Sequence, residues 1–497
     1  MPTNFCLIAD THYYNVEALG LRTDHHQKTL NESGAILDAA LDIFLQRKNC
    51  NVLIIAGDVT CDGERESHDE LVKKLRRVQA AGKRVLLITS THDFEQQSNA
   101  RRIAQSQPIG VAYTVTGQYH PGMTRRDELR GIYDEFGFSD ALSVYDELSY
   151  CAQIAPGLRV LMLNDDGNGR PPKNDTAQNA LLGDNPQKDD STNGKHFKDE
   201  NGINLTKDGH LLCGYSPEQM EWILAQIAEA KAAGEAIFAV THHPLLPPFP
   251  LFPAISKRDM LGDFETVRDT FSDNGLRMIF TGHSHIHNIG HYTSPTGNTI
   301  TDINTAALCG YPAPMRFCSF ADDMLDVHTE TVNDFAWDLG GITAQDYLRD
   351  IFDRLLRDII RSAAHDFDKF VEACADFGAP QEKLGRHKTA ITILGKFLER
   401  GTLGTLGSIL LYKRKIPKAA HKVVLGELIA EAVRNIYAGT EHYSPETPVG
   451  AAVQVLAERL QKLAGGRLRG TPAEDLPSFF GSLLYDDSPD WEWHGKI

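Results

Sequence analysis

The sequence predicts an α/β protein that continues into an all-helical region. Three observations carry this expectation. Short, nearly continuous apolar runs alternate with helix-period segments through the first two thirds of the chain, and polar clusters of Asp and His stand directly after several of those runs. From about residue 342 only helical periodicity remains.

The apolar runs lie at 5–9, 52–56, 84–88, 159–163, 236–240 and 277–280. They are short enough for strands, and near-continuous apolar character is what a strand buried on both faces requires. Helical patterns fill 33–47, 66–81 and 216–233, and 299–304 and 317–331 read as further strands able to pair antiparallel. Two stretches break the alternation. Residues 164–210 are rich in Asp, Asn, Gly and Lys and read as a long surface insertion, and 108–150 reads as a second cap region. The segment 244–253 carries five prolines and reads as an irregular loop. Gly340-Gly341 marks a boundary, which divides the chain into a first domain at 1–340 and a C-terminal helical domain at 341–497. In the latter, Tyr347, Ile351, Leu355 and Ile359 recur at helical spacing, and helical patterns follow at 381–399, 418–437 and 450–463. Lys413-Arg414-Lys415 reads as a solvated helix end, and Trp491 and Trp493 as residues that dock the tail.

Composition narrows the function. A formal charge of −17 argues against a general nucleic-acid binder, which needs a basic footprint. It does not argue against a small phosphorylated substrate, because bound cations can reverse the local field. No apolar run reaches the about 18 residues a membrane span needs, and residues 1–10 lack the pattern of a secretory signal. The eight cysteines (6, 50, 61, 151, 213, 309, 318 and 374) are scattered without a CxxC pair. Free thiols in a cytoplasmic protein are the expectation, and a zinc–cysteine site is not.

Five polar clusters follow strands: Asp10-Thr11-His12, Gly57-Asp58, Ser90-Thr91-His92-Asp93, Thr241-His242-His243-Pro244 and Gly282-His283-Ser284-His285. In open α/β sheets ligands bind beyond the carboxyl ends of strands. One Asp or His after a strand is ordinarily a cap or a hydrogen-bonded structural residue, but five such clusters delivered to one sheet edge are not independent accidents. Imidazole and carboxylate suit Mn, Fe, Zn or Ni. A carboxylate such as Asp58 has two oxygens and can bridge two cations. Asp10 and His12, and likewise His283 and His285, are two residues apart and would share a face if their strands continued. His25, His26 and His287 match no ligand spacing and are expected in surface or supporting roles.

This order of motifs resembles the calcineurin-like metallophosphoesterase superfamily, whose pattern runs D-x-H, G-D, G-N-H-[DE], H, G-H-x-H. The resemblance spans about residues 4–330. The stretch 209–244, with Gln219 and Trp222 ahead of His242-His243-Pro244, is also similar to the class III cyclic-nucleotide phosphodiesterase branch, and an added helical domain is similar to bacterial members of that branch. The resemblance implies a four-layer α/β/β/α sandwich with two divalent metal ions. Asp10, His12, Asp58 and His285 would hold the first metal, and Asp58, His242 and His283 the second. His92 would contact the phosphate and protonate the leaving alkoxide, with Asp93 orienting its ring. The sequence departs from the pattern at Thr91, where the family has an Asn ligand to the second metal, and at Ser90, where Gly is usual. Either Thr91 ligates in its place or a water does, and looser binding of the second metal is expected.

The function so implied is a metal-dependent phosphodiesterase acting on a cyclic nucleotide or a similar small diester. A phosphomonoesterase or nucleotide pyrophosphatase shares the same site, and a non-catalytic metal-binding scaffold is the reading from another class. Arg125, Arg126, Lys257 and Arg258 in the cap segments are candidates for phosphate contact. The C-terminal helices could mediate a homo-oligomer.

Overall fold

The computed structural model describes residues 2–22, 27–94, 123–166, 197–198, 204–205, 213–250, 252–253, 259–376, 381–440, 443–467 and 490–497. In chain order the strands are β1 (Thr3–Ile8), β2 (Cys50–Ala56), β3 (Arg84–Ile88), β4 (Ser143–Tyr145), β5 (Ser149–Ala155), β6 (Leu158–Met162), β7 (Phe197–Lys198), β8 (Asn204–Leu205), β9 (Ala236–Val240), β10 (Met278–Thr281), β11 (Asn288–Thr293), β12 (Thr299–Asn304), β13 (Pro314–Ala321), β14 (Met324–Thr331) and β15 (Glu492–Lys496). They build one mixed sheet ordered β15-β14-β13-β1-β2-β3 and a second ordered β11-β12-β10-β9-β6-β5-β4, with β7 and β8 forming a separate antiparallel pair.

The period-2 alternation of side chains explains the layering. Cys6 and Ile8 of β1 and Leu53 and Ile55 of β2 point into a core with the helices Ser33–Gln46 and Arg65–Ala80. Their neighbours Phe5, Leu7, Val52 and Ile54 point the other way, into a core shared with Val160, Phe238 and Phe280 of the second sheet. Phe5 stacks on Phe238 at 5.2 Å between ring centroids, at the junction of the two sheets. The outer face of the second sheet packs on the helices Pro217–Ala233 and Phe264–Asn274. Two sheets between helical layers therefore result from strands that are apolar on both faces. At full burial, each of these aliphatic or aromatic side chains contributes about 1.5–3 kcal/mol.

Several expectations need revision. The cap region expected at 108–150 contains, in its described part, a helix (Arg126–Tyr133) and the strands β4 and β5, which extend the second sheet. Of the insertion expected at 164–210, residues 164–166 and the β7–β8 pair fall within the described residues. The basic run at 413–415 is an exposed 3₁₀ turn. The helical region is a 22-residue helix (Ala344–His365) followed by shorter ones, including Lys388–Arg400, Leu425–Ala438 and Pro448–Arg467. Leu403, Leu425, Ile436 and Val453 from it share one core with Ile223, Leu245 and Phe271 of the second sheet's helical side. The tail then returns to the first sheet. β15 pairs antiparallel with β14, and Trp493 packs against the core between the sheets.

Candidate metal centre

The strands β1, β2 and β3 run parallel, as do β6, β9 and β10. Their carboxyl ends therefore gather the five polar clusters, and a sixth at Asn164-Asp165-Asp166 that follows β6. β1 ends at Ile8 and β10 at Thr281, so neither D-x-H nor H-x-H continues a strand. The shared-face expectation fails for that reason. The side chains converge because Asp10, His12, Asp58, His283 and His285 all have positive φ, between 37° and 64°. Non-glycine residues there are strained by about 1–3 kcal/mol each and persist only where surroundings enforce them. Backbone bonds do so here: the N–H groups of Asp10, His12 and Tyr13 donate to the carbonyls of Gly57 (3.2 Å), Asp58 (2.9 Å) and Val59 (3.0 Å). The motif glycines are needed for close approach. A Cβ on Gly57 would meet His242 Nδ1 at 2.5 Å, and one on Gly282 would meet Asp10 Oδ2 at 2.4 Å.

The side chains form two adjoining groups. Asp10, His12 and His285 present ligand atoms within 4.8 Å of one another, and so do Asp58, His242 and His283. His12 Nε2 lies 3.7 Å from both Asp10 Oδ1 and Asp58 Oδ2, and 3.0 Å from Nε2 of His285. His285 Nε2 is 3.3 Å from Asp10 Oδ1, and His242 Nε2 is 3.1 Å from Asp58 Oδ2. Asp58 thus lies beside both groups. Thr91 Oγ1 is 3.5 Å from Asp58 Oδ1, and the His92 N–H donates to that same oxygen at 3.0 Å.

Charge is concentrated and poorly satisfied. Asp10, His12, Asp58 and His242 are buried, and His242 Nε2 has no hydrogen-bond partner of adequate geometry among the described residues although Asp58 is near. Its other nitrogen, Nδ1, faces the Ala56 carbonyl at 2.8 Å and bears a proton, so Nε2 is the nitrogen turned into the cluster. Burial opposes ionisation of Asp58, but His242 and its fellow imidazoles outweigh it and hold that carboxyl well below its usual range. Burial lowers His242 too, yet Asp58 and Asp10 push it well above an ordinary histidine. Burial, then the Lys28 ammonium, holds His12 well below the usual value, and burial, then His243, pushes His283 down to about 4. Ionised carboxylates, and the His12 and His283 rings whose protonation burial disfavours, converge with His242 on one spot, and imidazole and carboxylate donors so gathered are a set that a pair of divalent cations fits.

His92 sits at the mouth, its side chain 31% exposed, with its ring edge-on to His12 at 4.9 Å between centroids. Its orientation differs from the expectation. Asp93 does not touch the ring: its carboxylate accepts from the Thr60 N–H (2.8 Å) and the Ser90 N–H (2.7 Å), and so braces two loops. The ring is oriented by the Cys61 carbonyl, 2.7 Å from Nδ1, and by Asp62 Oδ1 at 3.2 Å. Asp62 is held in turn by Arg22 at 3.4 Å. Among the other candidates, His243 faces Asp165 at 3.0 Å through Nδ1, and its ring lies 4.0 Å from that of His283. Arg126 donates to Asn164 at 3.1 Å, at the carboxyl end of β6, while Arg125 pairs with Asp127 on the surface. Gln219 and Trp222 serve packing, donating to Ser149 and Ser143. His287 is buried against Trp491 and is not a surface residue. Lys257, Arg258, His25 and His26 lie outside the described residues.

Sequence reasoning missed Lys28, Asp62, Asp165 and Asp302. Asp62 and Asp165 had a signal, since each is a further carboxylate within a loop already singled out or directly after a strand. Asp302, on β12, accepts from the Leu245 and Leu246 N–H groups, both at 2.8 Å, and fixes the loop after His242. Lys28 Nζ is 3.2 Å from His92 Nε2 and carries no motif.

Fold and site together define a two-sheet α/β protein whose strand ends gather two groups of carboxylates and imidazoles that could hold cations. Residues 3–287 match the sequence profile of the calcineurin-like phosphoesterases, and the chain belongs to that family. No curated protein matches it by sequence. Among solved structures it is similar to a dimetal phosphatase from Danio rerio, at 16% identity and a TM-score of 0.41, covering 69% of this chain and 99% of that one. It is also similar to the phosphopantetheinyl hydrolase of Mycobacterium tuberculosis, at 15% identity and a TM-score of 0.29, covering 61% and 89% respectively. A 5′-nucleotidase precursor from Thermus thermophilus matches at 12% identity and a TM-score of 0.29, covering 65% and 51%. Among the described residues no helix is long and apolar enough to cross a membrane.

Proposed function

We propose that the protein hydrolyses a small phosphate ester with two divalent cations, one held by Asp10, His12, Asp58 and His285 and the other by Asp58, His242 and His283. The observation that carries this reading is the placement of Asp58 beside both ligand groups, with the partly exposed His92 at their mouth. Cations bound there supply a nucleophilic water and neutralise charge on the phosphoryl oxygens. The chain's own groups do the rest. His92 stands where it can contact the phosphoryl group and pass a proton to the leaving oxygen, and Asp62 with the Cys61 carbonyl fixes its ring. Thr91 stands beside the second position, where a neutral hydroxyl is a weak ligand.

A phosphodiester such as a cyclic nucleotide is the first substrate class, on the resemblance of 209–244 to class III phosphodiesterases. A phosphomonoester is the second, favoured by the ammonium of Lys28 beside His92. In either case we read the partner as a small molecule rather than nucleic acid or membrane. The test is hydrolysis of chromogenic phosphodiesters and monoesters with added manganese, in wild type and Asp58→Asn. We expect turnover that chelation abolishes, a loss of ~10³ or more in the variant, and reduced content of both cations. No turnover with any divalent cation would favour a non-catalytic scaffold.

A further inference from the structure

We infer that Lys28 is a specificity-determining residue, whose ammonium contacts the phosphoryl oxygen that a monoester carries as a charged atom and a diester carries as a second ester link. This rests on the phosphoesterase reading and deepens its second, monoester alternative by naming a residue that would favour the dianionic ester.

Lys28 Nζ lies 3.2 Å from His92 Nε2 and 3.4 Å from His12 Nδ1. An ammonium only donates, so both ring nitrogens accept from it. For His92 this is self-consistent. In the neutral ring Nδ1 faces the Cys61 carbonyl, which only accepts, so Nδ1 bears the proton and Nε2 the lone pair; Nε2 must take up a second proton, releasing Lys28, before the ring can act as an acid. For His12 it is not. His12 points Nε2 at Asp10, Asp58 and His285. Once that lone pair is used on a cation, the neutral ring carries its proton on Nδ1, facing another donor. Lys28 then loses an acceptor, and among the described residues no carboxylate pairs with it. An anion from outside the chain is what replaces it.

The lysine is also placed rather than loose. It is half-buried, and its neighbour Thr29 donates through N–H and Oγ1 to the Cys309 carbonyl (2.7 and 2.5 Å). The Leu308 N–H donates to Ala9 at 3.0 Å, directly ahead of Asp10. The backbone bearing Lys28 is thus clamped to the segment that bears Asp10 and His12. A monoester has three non-bridging oxygens and a charge near −2 at neutral pH, whereas a diester has two such oxygens and a charge of −1. A compact cation beside the pocket distinguishes them by that third oxygen.

The test compares p-nitrophenyl phosphate with bis-p-nitrophenyl phosphate, which share a leaving group, in manganese-loaded wild type, Lys28→Met, Lys28→Gln and Lys28→Arg. Binding of inorganic phosphate by calorimetry and metal content are measured alongside. The ratio of kcat/KM for monoester over diester should fall about tenfold in Lys28→Met and Lys28→Gln and recover in part in Lys28→Arg. Phosphate affinity should fall by a similar factor at unchanged metal content. An unchanged ratio, or equal losses on both esters, overturns the inference. If wild type turns over neither ester, the phosphoesterase reading fails separately, and equal phosphate affinity in wild type and Lys28→Met then overturns the role of Lys28.

Discussion

The two sheets contribute opposite halves of the proposed cation pocket. The first sheet's loops bring both carboxylates, Asp10 and Asp58, together with Thr91, His92 and the neighbouring Lys28. The second sheet's loops bring imidazoles alone: His242, His283 and His285. The second half is steadied by carboxylates behind it, Asp165 under His243 and Asp302 under the loop after His242. Each group of candidate ligands draws residues from both sheets, so the packing of the sheets, in which Phe5 stacks on Phe238, is what brings them together. The halves differ in task as well. On the proposed reading, the groups that would meet substrate, His92 and Lys28, lie on the first sheet's side, whereas the carboxylates on the second sheet's side hold His243 and the loop after His242.

The comparison breaks most severely at the mouth on the first sheet's side. His92→Ala is expected to lower kcat by ~10²–10⁴ with both cations retained, as read by steady-state kinetics and metal analysis. Asp62→Asn should give a smaller loss of about tenfold, because it frees the ring without removing it. Full activity in His92→Ala would remove it from catalysis. A smaller effect tests where the halves meet. Thr91→Asn supplies a better ligand and should tighten the second cation by about tenfold in equilibrium dialysis; equal retention by wild type would show that Thr91 is no weakness.

The smallest effect belongs to the second sheet's support. Burial raises the Asp302 carboxyl to about 6. Its folded value exceeds its unfolded value of about 4, so the folded state binds the proton more tightly. Stability contributed at low pH is then lost as pH rises from about 4 to about 6, and levels off above. Asp302→Asn should remove that change in stability, about 3 kcal/mol, measured by urea unfolding at several pH values. A wild-type slope in the variant would show that Asp302 does not titrate in this window.

Much of this was legible because each motif follows a strand buried on both faces, where the apolar run is unambiguous. The strands at 84–88, 236–240 and 299–304 have the bounds expected of them. What escaped did so for physical reasons. The ligands converge through left-handed backbone at Asp10, His12 and His285, which no period reveals. The ring partner of His92 is Asp62, thirty residues away in sequence, and not the adjacent Asp93, because Asp93 is consumed by the amides of Thr60 and Ser90. Lys28 is a single charge in a polar segment. β15 is five residues rich in polar side chains and becomes a strand only because β14 offers an edge, an instance of tertiary context overriding propensity.

That last strand has a consequence for anyone cutting or joining this chain. The register pairs Asp326 with His494, and Asp490 bridges the Ile289 N–H and the buried Arg316. In topological terms the helices from Ala344 onward are threaded between two neighbouring strands of one sheet and are not hung after it. A truncation at the Gly340-Gly341 boundary would remove an edge strand and strip Arg316 of the Asp490 carbonyl, leaving it that of Asn304. Excising the helices instead and splicing residue 341 to 490 would keep β15 but uncover Ile223, Leu245 and Phe271, which share a core with them. The same threading makes strand closure a contact between distant parts of the chain, which is slow to form.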